Sequence, residues 1–177
     1  SFHGRPVRLF RDLLLFEKEG THLYFEGVDK EISRFISSDL GLSPSEGGDT
    51  PLELLVFLSR HRSEKEIRSL TVHPPGNYLS ADYGGEPGML PPSAPHEMSR
   101  ALRYLYKIKK SMGIKDRTTY EVTHHGPMIS SPSFFIEIGS SVDRWEVPEL
   151  GKAIAKTLIA VLNGTTEELP VAIGIGG

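Results

Sequence analysis

Three times along this chain a short apolar run breaks off into polar residues and a Gly or Pro turn. Leu52–Leu58 (LELLVFL) passes into SRHRS, Ser69–Val72 into His73-Pro74-Pro75-Gly76-Asn77, and Thr118–Thr123 into His124-His125-Gly126-Pro127. Runs of this length, rich in branched side chains and closed by turn residues, predict β-strands. LELLVFL, almost wholly apolar, predicts a strand buried on both faces of a parallel or mixed sheet. Phe134–Ile138 and Val171–Ile175 add two more strands, and His22–Glu26 a short one.

Helical periodicity lies between them. Over Pro95–Met112 the residues Met98, Ala101, Leu102, Leu105, Ile108 and Met112 form one stripe, and Gly113 is placed to end the helix. Val147–Leu162 is a second helix, with Pro148 in its first turn and Asn163-Gly164 at its end. Asp29–Phe35 has a weaker helical spacing, and Val7–Phe16 fits a helix or a strand. Tyr78–Pro95 is a long aperiodic loop. Mixed strands and helices predict an α/β class, a central mixed sheet flanked by helices. At 177 residues the chain fits a single α/β domain spanning 1–177.

The chain has no cysteine. That excludes disulfides, thiolate metal sites, iron–sulfur clusters and a cysteine nucleophile. Any metal must sit on His, Asp or Glu. No apolar run reaches membrane-spanning length, so a cytoplasmic protein with no membrane partner is expected. The net charge is −3, which argues against DNA as a partner. Yet Arg100–Arg117 holds seven basic residues and one acid. On the helix, Arg100, Arg103, Lys107 and Lys110 lie opposite the apolar stripe, either as a solvated face or as a phosphate-facing one.

In open α/β sheets, ligand sites lie just beyond strand ends. If the three ends share an edge, His61, His73, His124 and His125 converge. Histidine exchanges protons near neutral pH and binds metals as neutral imidazole. Alternation in an extended strand predicts that only one of His124 and His125 faces the pocket. Arg60 and Arg62 flank His61 on the opposite face and suit a phosphate. Asn77 either binds a substrate carbonyl or ribose, or caps its turn. Glu121 and Glu137 sit inside strands, where a buried acid needs a partner such as histidine or a metal. Backbone N–H groups of the two turns are candidate oxyanion donors. No Gly-x-Ser-x-Gly elbow, phosphate loop or GxGxxG is present.

The strings FLSRHRS (Phe57–Ser63), SLTVHPPGN (Ser69–Asn77), EVTHHGP (Glu121–Pro127), PSFFIEIGSS (Pro132–Ser141) and AIGIGG (Ala172–Gly177) occur in this order. Together they resemble the D-aminoacyl-tRNA deacylase family of archaea and plants. The resemblance covers roughly residues 52–177. It implies a fold similar to phosphorylase- and peptidyl-tRNA-hydrolase-like α/β proteins. It implies hydrolysis of the ester between a D-amino acid and the terminal adenosine of tRNA, with zinc as cofactor.

Carried onto this sequence, the resemblance puts His73, His124, His125 and Asn77 in the catalytic site. His73, His124, His125 and Glu121 become the metal candidates. Arg60, His61, Arg62, Arg100, Arg103, Lys107 and Lys110 become the contacts to D-aminoacyl-tRNA. In that family AIGIGG opens a longer motif, so the expectation is a chain truncated at its C-terminus relative to the family. A monomer or small homo-oligomer is expected. A related hydrolase acting on a peptide or nucleoside, and a non-catalytic RNA-binding module, are the alternatives.

Overall fold

One strand organises the molecule. In the computed structural model, which describes residues 1–10, 13–42, 50–164 and 169–175, all eight residues of the strand Ser133–Ser140 are buried. In chain order the strands are β1 (Arg8–Phe10), β2 (Leu13–Leu15), β3 (Leu55–Arg62), β4 (Ser69–His73), β5 (Arg117–Tyr120) and β6 (Ser133–Ser140). The main sheet runs β3-β6-β4-β5, with β3 parallel to β6, β4 antiparallel to β6 and β5 parallel to β4. It is the mixed sheet that the strand pattern predicts.

Side-chain alternation gives this sheet two unlike faces. On one, Phe134, Ile136 and Ile138 of β6 join Leu70 and Val72 of β4 in a core closed by two helices. These are α2 (Pro95–Ser111) and α4 (Pro148–Asn163), which supply Ala101, Leu105, Leu150, Ala153, Ile154 and Val161. Each helix has a proline in its first turn, where the missing N–H costs nothing. Beyond α2, Gly113 adopts φ +71°. Its N–H donates to the Lys110 carbonyl and that of Ile114 to the Lys109 carbonyl, the paired bonds of a Schellman ending.

On the other face, Phe57 and Phe135 pack with Ile129, Phe2 and the apolar side of α1 (Val28–Asp39). The rest of that face is polar: Ser59, His61, Glu137, Thr71 and His73 share it by register.

Several expectations change. Val7–Phe16 is neither one helix nor one strand but the β1–β2 hairpin. His22–Tyr24 is a 3-10 turn, α-helix-like and not extended, closed by Tyr24 N–H to the Thr21 carbonyl and Phe25 N–H to that of His22. Three apolar residues are too few to specify a strand against such local bonds. β3 begins later than LELLVFL and continues through Arg62. It is an edge strand with Leu58 51% exposed, so it is not buried on both faces. Val171–Ile175 is not a strand. Ile173 and Ile175 are almost fully exposed, and strand propensity without a pairing neighbour forms no ladder. Gly176 and Gly177, the end of AIGIGG, lie outside the described residues.

A short helix, α3 (Val142–Trp145), follows β6. Its Arg144 reaches the buried Asp116 just before β5, donating to Oδ1 at 2.6 and 3.1 Å and to Oδ2 at 2.7 Å. Removing one partner of such a pair strands a buried charge. Arg144→Ala is therefore expected to lower stability by about 3 kcal/mol, read from chemical denaturation. A loss below about 1 kcal/mol, the worth of an exposed pair, would mean that the bridge is solvated.

Candidate functional site

Glu137 is the one acid on the central strand, and it is 2% exposed. A carboxylate there needs compensation, and the neighbouring strands bring it. Across the register Ser59 of β3 and Thr71 of β4 stand directly opposite Glu137. Diagonal to it, His61 Nδ1 lies 3.8 Å and His73 Nε2 3.7 Å from its Oε2. The segment after β5 adds Glu121, whose Oε2 is 3.4 Å from His61 Nδ1 and 3.8 Å from His124 Nε2.

His73, His124 and His125 form one cluster, with ring centroids 4.2, 4.4 and 4.9 Å apart. Phe135 is its floor: His73 stacks on it at 5.0 Å and 3°, and His125 meets it edge-on at 4.8 Å. Both histidines of the HHGP turn reach the cluster, against the expectation from strand alternation. The reason is local. β5 ends at Tyr120, and His125 takes φ +49°, so the backbone is no longer extended where the pair sits.

Each of these imidazoles is pinned at Nδ1. His73 donates to the Pro74 carbonyl at 3.0 Å, His124 to Val122 at 2.7 Å and His125 to Gly126 at 2.7 Å. A neutral ring that donates at Nδ1 carries its lone pair on Nε2. Burial lowers the His124 pKa, as does the neighbouring His73, and burial draws His125 down to about 4, so both rings are neutral near pH 7. Burial would raise the Glu137 acid. His73 and the Ser59 hydroxyl, with His125, outweigh it and hold the acid at about 2. The carboxylate thus has His73 Nε2 3.7 Å from its Oε2, an ion pair when that ring is protonated. His73 Nε2, Glu137 Oε2 and Thr71 Oγ1 are buried with no hydrogen-bond partner among the described residues.

Buried nitrogen and carboxylate atoms without hydrogen-bond partners are the kind of donors a bound cation would satisfy. Three sets of donor atoms each lie within 4.8 Å of one another: His73, His124 and His125; His61, Glu121 and His124; and His73, Glu121 and Glu137. Histidines in metal sites are commonly oriented by an outer hydrogen bond of the kind made here at Nδ1. The sites overlap in the middle of the sheet face, not beyond its edge. Because β3 and β4 run in opposite directions, their C-terminal ends point to opposite ends of the sheet.

The other residues singled out in the sequence lie elsewhere. Asn77 is buried, and its amide donates to the Gly84 carbonyl at 2.9 Å and to that of Glu86 at 3.5 Å. It clamps the 78–90 loop. Three of the turn N–H groups are spent: Gly76 donates to the His125 carbonyl, Asn77 to Met89 and Gly126 to Tyr83. They are not free for an oxyanion. Arg60 points to the helix face, its guanidinium 4.8 Å above the Trp145 ring. Arg62 shares that side of β3 by alternation and is exposed. Arg100 donates to Glu97 and to the Gly164 carbonyl and is largely buried. Arg103, Lys107 and Lys110 are exposed, on a helix that covers the face opposite the histidines.

Sequence reasoning noted Glu137 without assigning it a role, although a lone acid in FFIEIG was the signal. It missed His22, which arrives from the 3-10 turn and places Nε2 2.8 Å from Ser59 Oγ. No spacing in the sequence marks that contact.

The sequence model of the D-aminoacyl-tRNA deacylase family matches residues 49–177. The chain is 38% identical over 165 residues to a D-aminoacyl-tRNA deacylase of Methanosarcina mazei, covering 92% of this chain and 50% of that protein. It is 36% identical over 178 residues to that of Thermococcus kodakarensis, covering 99% and 60%. A crystal structure of a conserved protein of unknown function superposes with a TM-score of 0.77 at 26% identity, over 91% of this chain and 52% of the other. The chain thus spans 50% to 60% of the length of these two curated relatives. Every cluster residue but His22 falls inside the matched segment, and on that match the chain belongs to the D-aminoacyl-tRNA deacylase family.

Proposed function

We propose that this protein hydrolyses the ester joining a D-amino acid to the terminal ribose of tRNA, with the histidine–carboxylate cluster as its reaction centre and zinc as its metal. One observation carries the reading. Three clustered imidazoles are each held at Nδ1 by a backbone carbonyl, and the Nε2 atoms of His73 and His124 face Glu137 and Glu121 at 3.7 and 3.8 Å. Family membership supplies the substrate.

The donor set suits zinc: nitrogen and carboxylate oxygen, with neutral rings and buried atoms left without partners. His73, His124, His125 and Glu121 would hold the ion, with Glu137 behind them. Bound there, zinc supplies Lewis acidity toward a carbonyl and a water acidified to near neutral pH. The chain's own groups do the rest. His61, partly exposed and 3.4 Å from Glu121, is placed to accept the proton of an attacking water and return it to the departing ribose oxygen. An aminoacyl ester next to a free hydroxyl is already labile, so positioning accounts for much of the rate. The Gly and Pro backbone of 74–77 and 124–127 forms a rigid wall beside the cluster, and the side chain of an L-amino acid collides with it. Arg103, Lys107 and Lys110 meet tRNA phosphates away from the reaction centre.

Three results are expected. Purified protein releases D-amino acid from D-aminoacyl-tRNA faster than L-amino acid from the L-form, and His73→Ala or His124→Ala lowers kcat by about 100-fold or more. Equal turnover of the two stereoisomers, or full activity in both variants, would overturn the reading. Elemental analysis finds zinc, and dialysis against a chelator abolishes turnover until zinc is restored. An active enzyme without metal would reject the zinc assignment. Replacing Arg103, Lys107 and Lys110 together by Ala raises KM for charged tRNA with kcat unchanged, and flattens the salt dependence by about two to three counterions. An unchanged KM would place the tRNA on another surface.

A further inference from the structure

We propose that the cavity against the outer edge of β3 binds an unpaired adenine base, the terminal base of the substrate tRNA. The inference takes its ligand from the deacylase reading above.

The cavity has a volume of about 430 Å³, within the range of small-molecule sites. Its walls come from both sides of the sheet. His22 stands on the side of the histidine cluster, 2.8 Å from Ser59 Oγ, with its ring centroid 6.5 and 5.5 Å from those of Phe57 and Phe135. Trp145, Arg60 and Ile138 stand on the helix side, with the Arg60 guanidinium 4.8 Å from the Trp145 ring centre. Aromatic rings and guanidinium planes are the surfaces on which unstacked bases rest.

The free edge of β3 runs between these walls. Leu55 N–H donates to the Pro132 carbonyl and Ser63 N–H to that of Ser140. In a parallel ladder, residues that bond to one neighbour alternate with residues that face away from it. The odd-numbered residues of β3 therefore bond to β6. The N–H and C=O of Leu58 and Arg60 point outward, where no strand lies among the described residues. Both residues line the cavity. The Leu58 carbonyl and the Arg60 N–H thus offer one acceptor beside one donor. The pairing edge of adenine carries the complement, its N6 amino group beside the N1 acceptor. Hypoxanthine in the same pose reverses that order, setting carbonyl against carbonyl and N–H against N–H.

The cavity also adjoins the reaction centre. Trp145 Nε1–H donates to the His61 carbonyl at 3.1 Å, and the His61 side chain lies 3.4 Å from Glu121. A base held against Arg60 therefore brings its ribose, and the ester on it, to the side of His61.

Trp145 is the chain's single tryptophan, so its fluorescence reads the cavity. Adenosine monophosphate should quench it saturably, and inosine monophosphate should bind roughly tenfold more weakly, because its mismatched groups stay unpaired. Absence of quenching at millimolar nucleotide, or equal binding of the two, overturns the inference. In deacylation of D-aminoacyl-tRNA, Trp145→Ala should raise KM about tenfold, the worth of one stacked base, with kcat within a few-fold of the parent. Trp145→Phe, which keeps a stacking face and fills most of the same space, should recover most of that loss. A parent that deacylates but shows no response to adenosine monophosphate overturns this inference alone. A parent that binds adenosine over inosine monophosphate but releases no D-amino acid keeps the base site and overturns the deacylase reading.

Discussion

A charged carboxylate at the centre of a sheet is expensive, and Glu137 is where this structure bears that cost. The strand that carries it is buried along its whole length. Its even-numbered residues face the α2–α4 core. Its odd-numbered residues form an aromatic floor at Phe135, the acid at 137, and an empty position at Gly139, where a Cβ would stand 2.6 Å from Ser69 Oγ. Period-two alternation thus lets one strand serve the hydrophobic core on one face and the histidine–carboxylate cluster on the other. A slip of one residue in its register would exchange the two.

The histidines are held by backbone more than by side chains. Their Nδ1 atoms bind carbonyls one or two residues away, so the turns after β4 and β5 set ring direction. Those turns are in turn locked to a third segment. A Cβ on Gly126 would lie 2.2 Å from the Gly85 nitrogen and 2.6 Å from the Leu23 oxygen, and one on Gly84 would overlap that same oxygen. Three backbone segments touch there because Gly84, Gly85 and Gly126 have no side chain to intervene. The Glu26 carboxylate accepts from the N–H groups of Gly85 and Met128 beside them. Asn77 belongs to this scaffold, since both of its amide bonds go to the loop that carries Gly84 and Gly85.

What could be read in advance follows from how local each cause is. The amphipathic stripe of α2, the first-turn prolines, Gly113 and the apolar core strands depend on neighbours within a few residues, and the structure keeps them. The meeting of His61, His73, His124 and Glu121 was legible as a pattern of strands ending in histidine. Its location was not. The rule of sites beyond strand ends assumes parallel neighbours, and β3 and β4 are antiparallel to each other across β6. His125 escaped strand alternation because it takes φ +49° next to Gly126, whose backbone abuts Gly85, 41 residues earlier. His22 was unreadable for the same reason, as its role depends on a partner 37 residues away. The last apolar run, Val171–Ile175, has the composition of a strand and no neighbour to pair with among the described residues.

That antiparallel relation also decides how a substrate approaches. Had β3, β6 and β4 all been parallel, His61 and His73 would stand at one end of the sheet and a ligand would enter along the strands. Instead they lean toward Glu137 from opposite ends of the same face, and the turn bearing His124 and His125 closes over one side. The accessible groups are His61, Glu121 and His124, while His73 and Glu137 are sealed beneath them. Any substrate therefore meets the cluster from above the sheet, with exposed proton-carrying groups at the mouth and the fixed charge below. The exposed cations of α2 lie behind the sheet, so whatever they hold is remote from the cluster.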